Sequence, residues 1–460
     1  MKIKINNKFL ENIKYHQLIN EKDKVIAAIS GGSDSVFLFY QLLALKEKIK
    51  FDFLVCHLNH LHRKEAYEDE NFVKSLCDKY NIKCIIKHKS MDQFAKDNKL
   101  SPEDAGRVLR YKFFRDVKAK YSYDKIAIAH NMNDQAETVL MRLIRGTGID
   151  GLSAMDFKDR DLIRPILNIK KNEIESFLIS RGLEFKLDKT NLSTDYTRNK
   201  IRIETIKMLE SINPKCIDNI FRLTQLLHED LSLIKKIEES TFYDISKIKD
   251  NKIYLDRKKF DVLDTALKNR VIRLAILNIN GDLKNVSKLN IDFIRQLEKL
   301  KIGKKINFKK FSVIKNYNNY EFYRNDKCDK KIENTYLRNY DDLNFSSFNI
   351  KTSIINQDEF MQLKEKNNRF FFDIEKITFP LLIRTRENGD RIKPIGMGGN
   401  SKKVKDLLID LKVDKNIRNK LPIILSNNHI LAIIPLKRSN LYKIRKETKE
   451  ILMIEYKEIK

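Results

Sequence analysis

The chain has 460 residues, 42% of them hydrophobic, with 7 prolines and 13 glycines. That composition excludes wholesale disorder, leaves little for long linkers, and accommodates roughly two to four domains. The formal net charge of +28 points to a polyanionic partner such as nucleic acid, with AT-rich codon bias as the competing source of the lysines. The 5 cysteines, Cys56, Cys77, Cys84, Cys216 and Cys328, form no CxxC pair, which suits free thiols in a reducing compartment. Met1–Leu18 lacks an apolar signal core, and no apolar run approaches the ~18 residues of a spanning helix. A soluble cytoplasmic protein with no membrane partner is therefore expected.

From the N-terminus, short apolar runs alternate with helical periodicity. Val25–Ile29 reads as a buried strand, Ser35–Lys46 as a helix, and Phe53–Leu58, Ile82–Ile86 and Ile126–Ala129 as further strands. Helical stretches around 65–80 and 103–120 separate them. This pattern predicts an α/β domain over 1–214, a doubly wound parallel sheet with ligands beyond the carboxyl ends of its strands. Residues 215–330 read as a middle domain, helical over 216–300 and ending in alternating, aromatic-rich strands over 303–325. The charged stretch 325–345 is the linker candidate. A small α+β unit over 346–460 combines strands at Ile423–Leu425 and Ile430–Pro435 with a helix at 402–411.

The strongest motif is Ser30-Gly31-Gly32-Ser33-Asp34-Ser35, between a strand and a helix. Glycines admit phosphate oxygens to backbone N–H groups, and the helix N-terminus adds positive partial charge. Ser33 and Ser35 can donate hydroxyls, and Asp34 can hold a magnesium ion bridging phosphates. No Gly-Lys-Ser/Thr follows, so the loop is not a Walker A. After the Ile126–Ala129 strand, Asp134 and Glu137 fall on one helical face, either as a pair for an amine or magnesium or as ordinary acids of a first turn. Gly146–Gly151 fits GxGxxG but follows a helix, which favours a C-cap and mobile loop over a dinucleotide site.

Other clusters are weaker. His57, His60 and His62 lack the further ligands of a zinc site and read as turn or substrate-contact residues. Arg107, Arg110 and Tyr111 share a helix, from which Arg110 can lean toward phosphates, and Arg198 to Arg202 form a second basic group. In the last unit Arg384, Arg386, Arg391, Lys393, Lys402, Lys403 and Lys405 surround Asn388-Gly389-Asp390 and the glycine-rich Gly396–Gly399. Basic side chains on flexible backbone suit a phosphodiester chain, which they would position rather than read.

Taken together, Ser30–Ser35, His57-Leu58-Asn59-His60 with Arg63, Arg107 with Arg110-Tyr111, the run from Ala129 through Gly148, Arg164-Pro165, Asp188 with Asn191, and Tyr196 through Arg202 resemble the tRNA(Ile)-lysidine synthetases. The resemblance spans nearly the whole chain, and Arg384 through Lys405 is similar to that family's C-terminal tRNA-contacting domain. Two departures are Asn133, where many members carry an aspartate, and Gly106, in place of a usual alanine.

The resemblance implies a PP-loop (adenine nucleotide alpha hydrolase-like) catalytic domain that uses ATP and Mg2+. ATP adenylates O2 of the wobble cytidine of a CAU-anticodon tRNA(Ile), and free lysine then displaces AMP. It implies catalytic roles for Asp34, Asp134, Glu137 and Arg110, with nucleotide contacts from Ser30, Gly31, Gly32, Ser33, Asp34, Ser35 and Arg202 and metal ligation by Asp34. Asp134 and Glu137 would bind the lysine amine. Substrate contacts fall to His60, His130, Arg145, Arg386, Arg391, Lys402 and Lys403. A homodimer stays open. The alternatives are a tRNA-thiolating PP-loop enzyme, with Cys77 or Cys84 as sulfur carrier, and a non-catalytic RNA-binding protein.

Overall fold

A computed structural model describes residues 3–61, 66–186, 197–325, 332–363 and 367–459. His62, Arg63, Asp188, Asn191, Tyr196 and Cys328 lie outside the described residues. The chain forms two compact units, Met1–Lys235 and Lys236–Lys460. No described helix is long and apolar enough to cross a membrane.

The first unit opens on helix α1 (Asn7–Tyr15) and then alternates. Strand β1 (Lys24–Ala28) leads to α2 (Ser33–Lys46), β2 (Asp52–Asn59) to α3 (Ala66–Lys79), and β3 (Cys84–His88) to α4 (Met91–Asn98) and α5 (Pro102–Tyr121). There follow β4 (Lys125–Ala127), α6 (Met132–Arg145), α7 (Ile149–Leu152), β5 (Lys158–Asp159), β6 (Leu162–Ile163) and α8 (Lys171–Ile179). The strands order as β3-β2-β1-β4-β6-β5, parallel except where β5 meets β6. Side chains alternate across the sheet as strand geometry requires. Val25, Ala27, Phe53 and Val55 join a core with α2 and α8, whereas Ile26, Leu54, Cys56 and Ile126 join one with Phe113, Phe114 and Val117 of α5. The sheet is doubly wound. Helix α2 is buried nearly all round, with Val36 through Leu38 and Leu42 at 0% exposure, as its continuous apolar run demands.

The connection Arg198–Thr205 is helical throughout, α9 (Thr197–Lys200) passing into a π-helical turn at Ile201–Thr205. Helices α10 (Ile206–Ile212) and α11 (Cys216–Ile245) follow. Gly146 caps α6 with a φ of 78°. The loop after it is not open chain: α7 forms, and Arg142 donates to the carbonyls of Gly151 (2.7 Å) and Ala154 (3.2 Å).

In the second unit the reading of 216–300 as wholly helical fails at one place. Ser246–Lys249 and Lys252–Asp256 form a hairpin, turned by Asp250 and Asn251 at φ values of 51° and 56°. Asp-Asn at two left-handed positions is a type I′-like turn signal that the surrounding lysines obscure. This hairpin joins Lys305–Asn307, Phe311–Lys315 and Asn319–Arg324 in a 5-stranded antiparallel sheet packed on helices Thr265–Asn280 and Lys288–Gln296. The linker candidate 325–345 also carries structure. Thr335–Leu337 pairs with Leu381–Ile383, and Asp342–Phe345 pairs with Phe348–Lys351, because Leu337 and Phe345 have a core to enter. The remaining strands form 5-stranded and 4-stranded sheets around that core, with a short pair at Arg391–Ile392 and Lys402–Lys403 and a helix at Val404–Asp410.

Gly106 lies inside α5, and a Cβ added there would stand 2.9 Å from Met91 Sδ. The thioether of α4 thus fills the space an alanine methyl would take. Methionine rotates easily and a helix-interior glycine costs about 1 kcal/mol relative to alanine. Gly106→Ala should therefore stabilise the protein by up to about 1 kcal/mol in denaturant unfolding; a loss of that size would show that Met91 has nowhere to go.

Candidate active site

Strand order reverses between β1 and β4, which opens a crevice beyond their carboxyl ends. The segments that follow these two strands are Ser30–Ser35 and His130–Glu137, so the fold brings the two principal motifs together.

Gly31 adopts a φ of 98°, open to glycine but strained for other residues. The loop is fastened from within. Ser35 Oγ accepts the N–H groups of Ser30 (3.2 Å) and Gly31 (3.1 Å), and donates to the Gly32 carbonyl (2.9 Å). Ser35, expected to face phosphate, holds the loop instead. His57 supports it from below, its Nδ1 2.9 Å from the Ile29 carbonyl, and burial lowers its pKa so the ring stays neutral. Gly32 is the N-cap of α2, and no described side chain caps that first turn. The leading N–H groups of a 14-residue helix are thus left for an anion.

Asp34 lies on that first turn. One carboxylate oxygen, Oδ2, accepts from Lys171 Nζ at 2.8 Å; the other, Oδ1, is buried without a hydrogen-bond partner. Burial raises its pKa against the pull of Lys171, and the neighbouring charge of Asp134 pushes the same way.

Helix α6 opens on a capping box. Asn131 accepts from Asp134 N–H, and Asp134 Oδ2 accepts from Asn131 N–H, both at 3.0 Å. Asp134 therefore performs the cap and still directs Oδ1 outward, 3.5 Å from Arg202 and 3.6 Å from Arg198. Glu137, one turn on, has 0% exposure. Arg198 Nε donates to its Oε2 at 2.8 Å, while Arg202 donates to Oε1 at 2.5 Å and Oε2 at 3.0 Å. Burial disfavours the charge on Arg202, but these bonds and the charges of Asp134 and Asp34 hold its pKa above the ordinary guanidinium value.

His130 is crowded by cations. Arg164 Nε donates to its Nδ1 at 3.3 Å, and burial together with Arg164, Arg198, Arg107 and Arg110 drives its pKa well down. The ring is neutral, with Nδ1 as acceptor. Arg164, 4% exposed, is pinned by the Asp156 carbonyl at 2.7 Å. Arg110 is solvent-accessible, but the protein atoms crowded around it desolvate its guanidinium and lower its pKa, with Arg107 and Arg198 adding repulsion. A predominantly basic depression is lined by Arg107, Lys112, Arg115 and Arg164 together with Asp116 and Asp159.

Thus Ser30–Ser35, Arg110, His130, Asp134, Glu137 and Arg202 share one electrostatic environment. His60 follows the carboxyl end of β2 and stands near Gly106 of α5, and Arg145 is exposed at the end of α6. Lys171 and Arg164 had no role assigned from sequence. A lone lysine among 91 Lys and Arg sends no signal, whereas Arg164-Pro165 had at least been singled out.

Arg386, Arg391, Lys402 and Lys403 belong to the second unit. Lys403 is exposed; Arg386 donates to Asn419 Oδ1 (2.8 Å), Arg391 to Ser401 Oγ (3.0 Å), and Lys402 pairs with Asp410. Arg384 does not belong to a phosphate-binding surface. It is 7% exposed and forms a two-pronged pair with Asp390 (2.7 and 2.8 Å). That pair folds the Glu387–Asp390 turn, and burial of an unpaired guanidinium would be prohibitive.

The model of the PP-loop domain matches residues 1–209, and that of the TilS substrate C-terminal domain matches residues 381–455. A tRNA(Ile)-lysidine synthase of Clostridioides difficile (strain 630) is 37% identical over 473 residues, covering 99% of this chain and 100% of its own. Similar proteins of that name come from Clostridium acetobutylicum, 34% identical over 97% of this chain and 98% of its own, and Persephonella marina, 30% identical over 99% and 100%. This chain belongs to the tRNA(Ile)-lysidine synthase family. The PP-loop match covers every crevice residue described above, and the C-terminal match covers Arg384 through Lys405. The PP-loop assignment carries ATP use with it.

Glu137 and its two arginines form a buried ion-paired group, and removing the carboxylate's charge has a definite cost. Glu137→Gln leaves two partly exposed guanidinium groups facing a neutral amide. Unfolding free energy should fall by about 2–3 kcal/mol, less than the roughly 3–5 kcal/mol for breaking a fully buried pair because both arginines are partly exposed, as read by denaturant titration. A change within about 0.5 kcal/mol would mean the arginines find water or other partners at no cost.

Proposed function

We propose that this chain ligates free lysine to carbon 2 of the wobble cytidine of a CAU-anticodon tRNA(Ile), forming lysidine through an adenylated intermediate. The observation that carries the reading is the uncapped first turn of α2 beside Asp34, which faces the arginine-ringed His130 and Asp134 across the β1–β4 crevice. Family membership supports the same reaction. The wobble O2 attacks the α-phosphorus of ATP and pyrophosphate leaves. The ε-amine of lysine then adds at carbon 2, the bond to the adenylated oxygen breaks, AMP departs with that oxygen, and the nitrogen gives up its proton.

The leading amides of α2 and Arg110 stabilise the charge on the departing pyrophosphate. Asp34 suits a magnesium ion: its Oδ1 is a buried carboxylate oxygen with no hydrogen bond of ordinary geometry, although the Asn131 side chain is close, and a hard cation takes such oxygens together with phosphate and water. When bound, magnesium would neutralise phosphate charge. Neutral His130 presents its Nε2 side to the substrate while Arg164 fixes the ring. Asp134 Oδ1 offers a reachable carboxylate for the lysine ammonium; Glu137 joins it only by giving up an arginine. Exposed Lys403 and the less constrained Arg386, Arg391 and Lys402 contact tRNA phosphates, which fix position without reading sequence.

The thiolase alternative fares worse on position. Cys84 begins β3, at the amino end of the sheet and away from the crevice, and Cys77 has 0% exposure. Asp34→Ala should lower pyrophosphate release from ATP with unmodified tRNA(Ile) by roughly 100-fold or more, while circular dichroism stays unchanged. Turnover at the wild-type rate in that variant would remove Asp34 from the chemistry.

A further inference from the structure

One cation in the crevice has no assigned role. Lys171 begins α8, more than a hundred residues beyond the phosphate loop, yet its Nζ donates to Ser33 Oγ at 2.6 Å and to Asp34 Oδ2 at 2.8 Å. Among the described residues its other ion-pair partner is Glu175, 3.8 Å away. Its backbone is fixed as well, because Lys171 N–H donates to Asn133 Oδ1 at 3.0 Å. Asn133 is the residue that stood out in sequence as a departure; here it ties the start of α8 to the start of α6. The ammonium is therefore anchored between the two halves of the crevice. Its side chain is 38% exposed, and that of Asp34 26%, so the pair borders solvent at the mouth of the α2 amide site.

The loop carries no lysine of its own, and a flexible ammonium close to the helix N-terminus would add to the amides and Arg110 in stabilising a polyphosphate leaving group. We propose that Lys171 supplies that charge, as a pyrophosphate-binding residue delivered from α8. Without nucleotide its ammonium neutralises Asp34. With nucleotide bound, Asp34 would be available to hold magnesium, and Nζ would turn to the β- and γ-phosphate oxygens. A flexible four-carbon stem on a fixed backbone permits this short swing, which a rigid guanidinium fork would not reproduce as well. This inference rests on the nucleotide reading of the loop given above, and it deepens that reading.

The exchange predicts opposite effects on two ligands. In Lys171→Met, binding of magnesium pyrophosphate measured by calorimetry should weaken by at least about tenfold, the loss expected from one charge-assisted contact. Binding of Mn2+ alone, followed by electron paramagnetic resonance, should tighten, since Asp34 has lost its competing ammonium. Lys171→Arg should recover part of the pyrophosphate affinity, and adenosine binding should be the same in all three proteins. A merely structural lysine would not move metal and pyrophosphate in opposite directions. If the Met variant does not fold, Lys171→Gln, which keeps length and polarity, carries the same expectation. Equal pyrophosphate affinity in variant and wild type overturns the role of Lys171 alone. Absence of pyrophosphate binding in the wild type overturns the nucleotide reading, and this inference with it.

Discussion

A carboxylate with no solvent contact stands only where its charge is met inside the protein, and Glu137 meets that condition with two arginines that follow it by 61 and 65 residues. Desolvating one charge at such a position costs several kcal/mol, so the three groups must come together. This requirement docks α9 and the π-helical turn onto α6. Arg202 lies within that π turn, a widened coil that is rare except where a side chain must be re-aimed. The remaining face of the crevice depends on this docking, because Arg198 also contributes to the field at His130 and Arg110.

Charge in the crevice is divided by depth. Asp34, Asp134 and Glu137 each have a basic partner within the protein, whereas Arg107 and Arg110 remain accessible. ATP, pyrophosphate and tRNA are all polyanions, and a surplus of accessible arginine favours them over chloride and water. The proposed lysine substrate poses the opposite problem: its ammonium must find a carboxylate through that positive field. Of the two Asp134 oxygens Oδ1 is the less committed to the protein, since Oδ2 serves the helix cap. In the proposed reaction adenylation comes first because carbon 2 has no leaving group until its oxygen carries AMP.

Local patterns carried much of this architecture. Alternating apolar runs mark the parallel strands, and the Ser30–Ser35 composition marks the phosphate loop, because burial and close backbone approach constrain residue type at each position. What was not legible depends on distant partners. Lys171 reads as one lysine among many until α8 is folded against α2. Arg384 reads as a surface cation until Asp390 closes on it. Asp134 and Glu137 look equivalent by helical spacing, yet the cap takes one and full burial takes the other. The hairpin at Ser246–Asp256 was hidden by a third cause, a lysine-rich composition compatible with either periodicity.

The central claim is that the crevice joins lysine to tRNA with ATP as activator. Incubation of the protein with ATP, isotope-labelled lysine and unmodified CAU-anticodon tRNA(Ile), followed by nucleoside mass spectrometry, tests it most directly. The account predicts label on the wobble cytidine alone, with AMP and pyrophosphate released in equal amounts. ATP consumption without labelled nucleoside, or sulfur in place of lysine at that base, would contradict it.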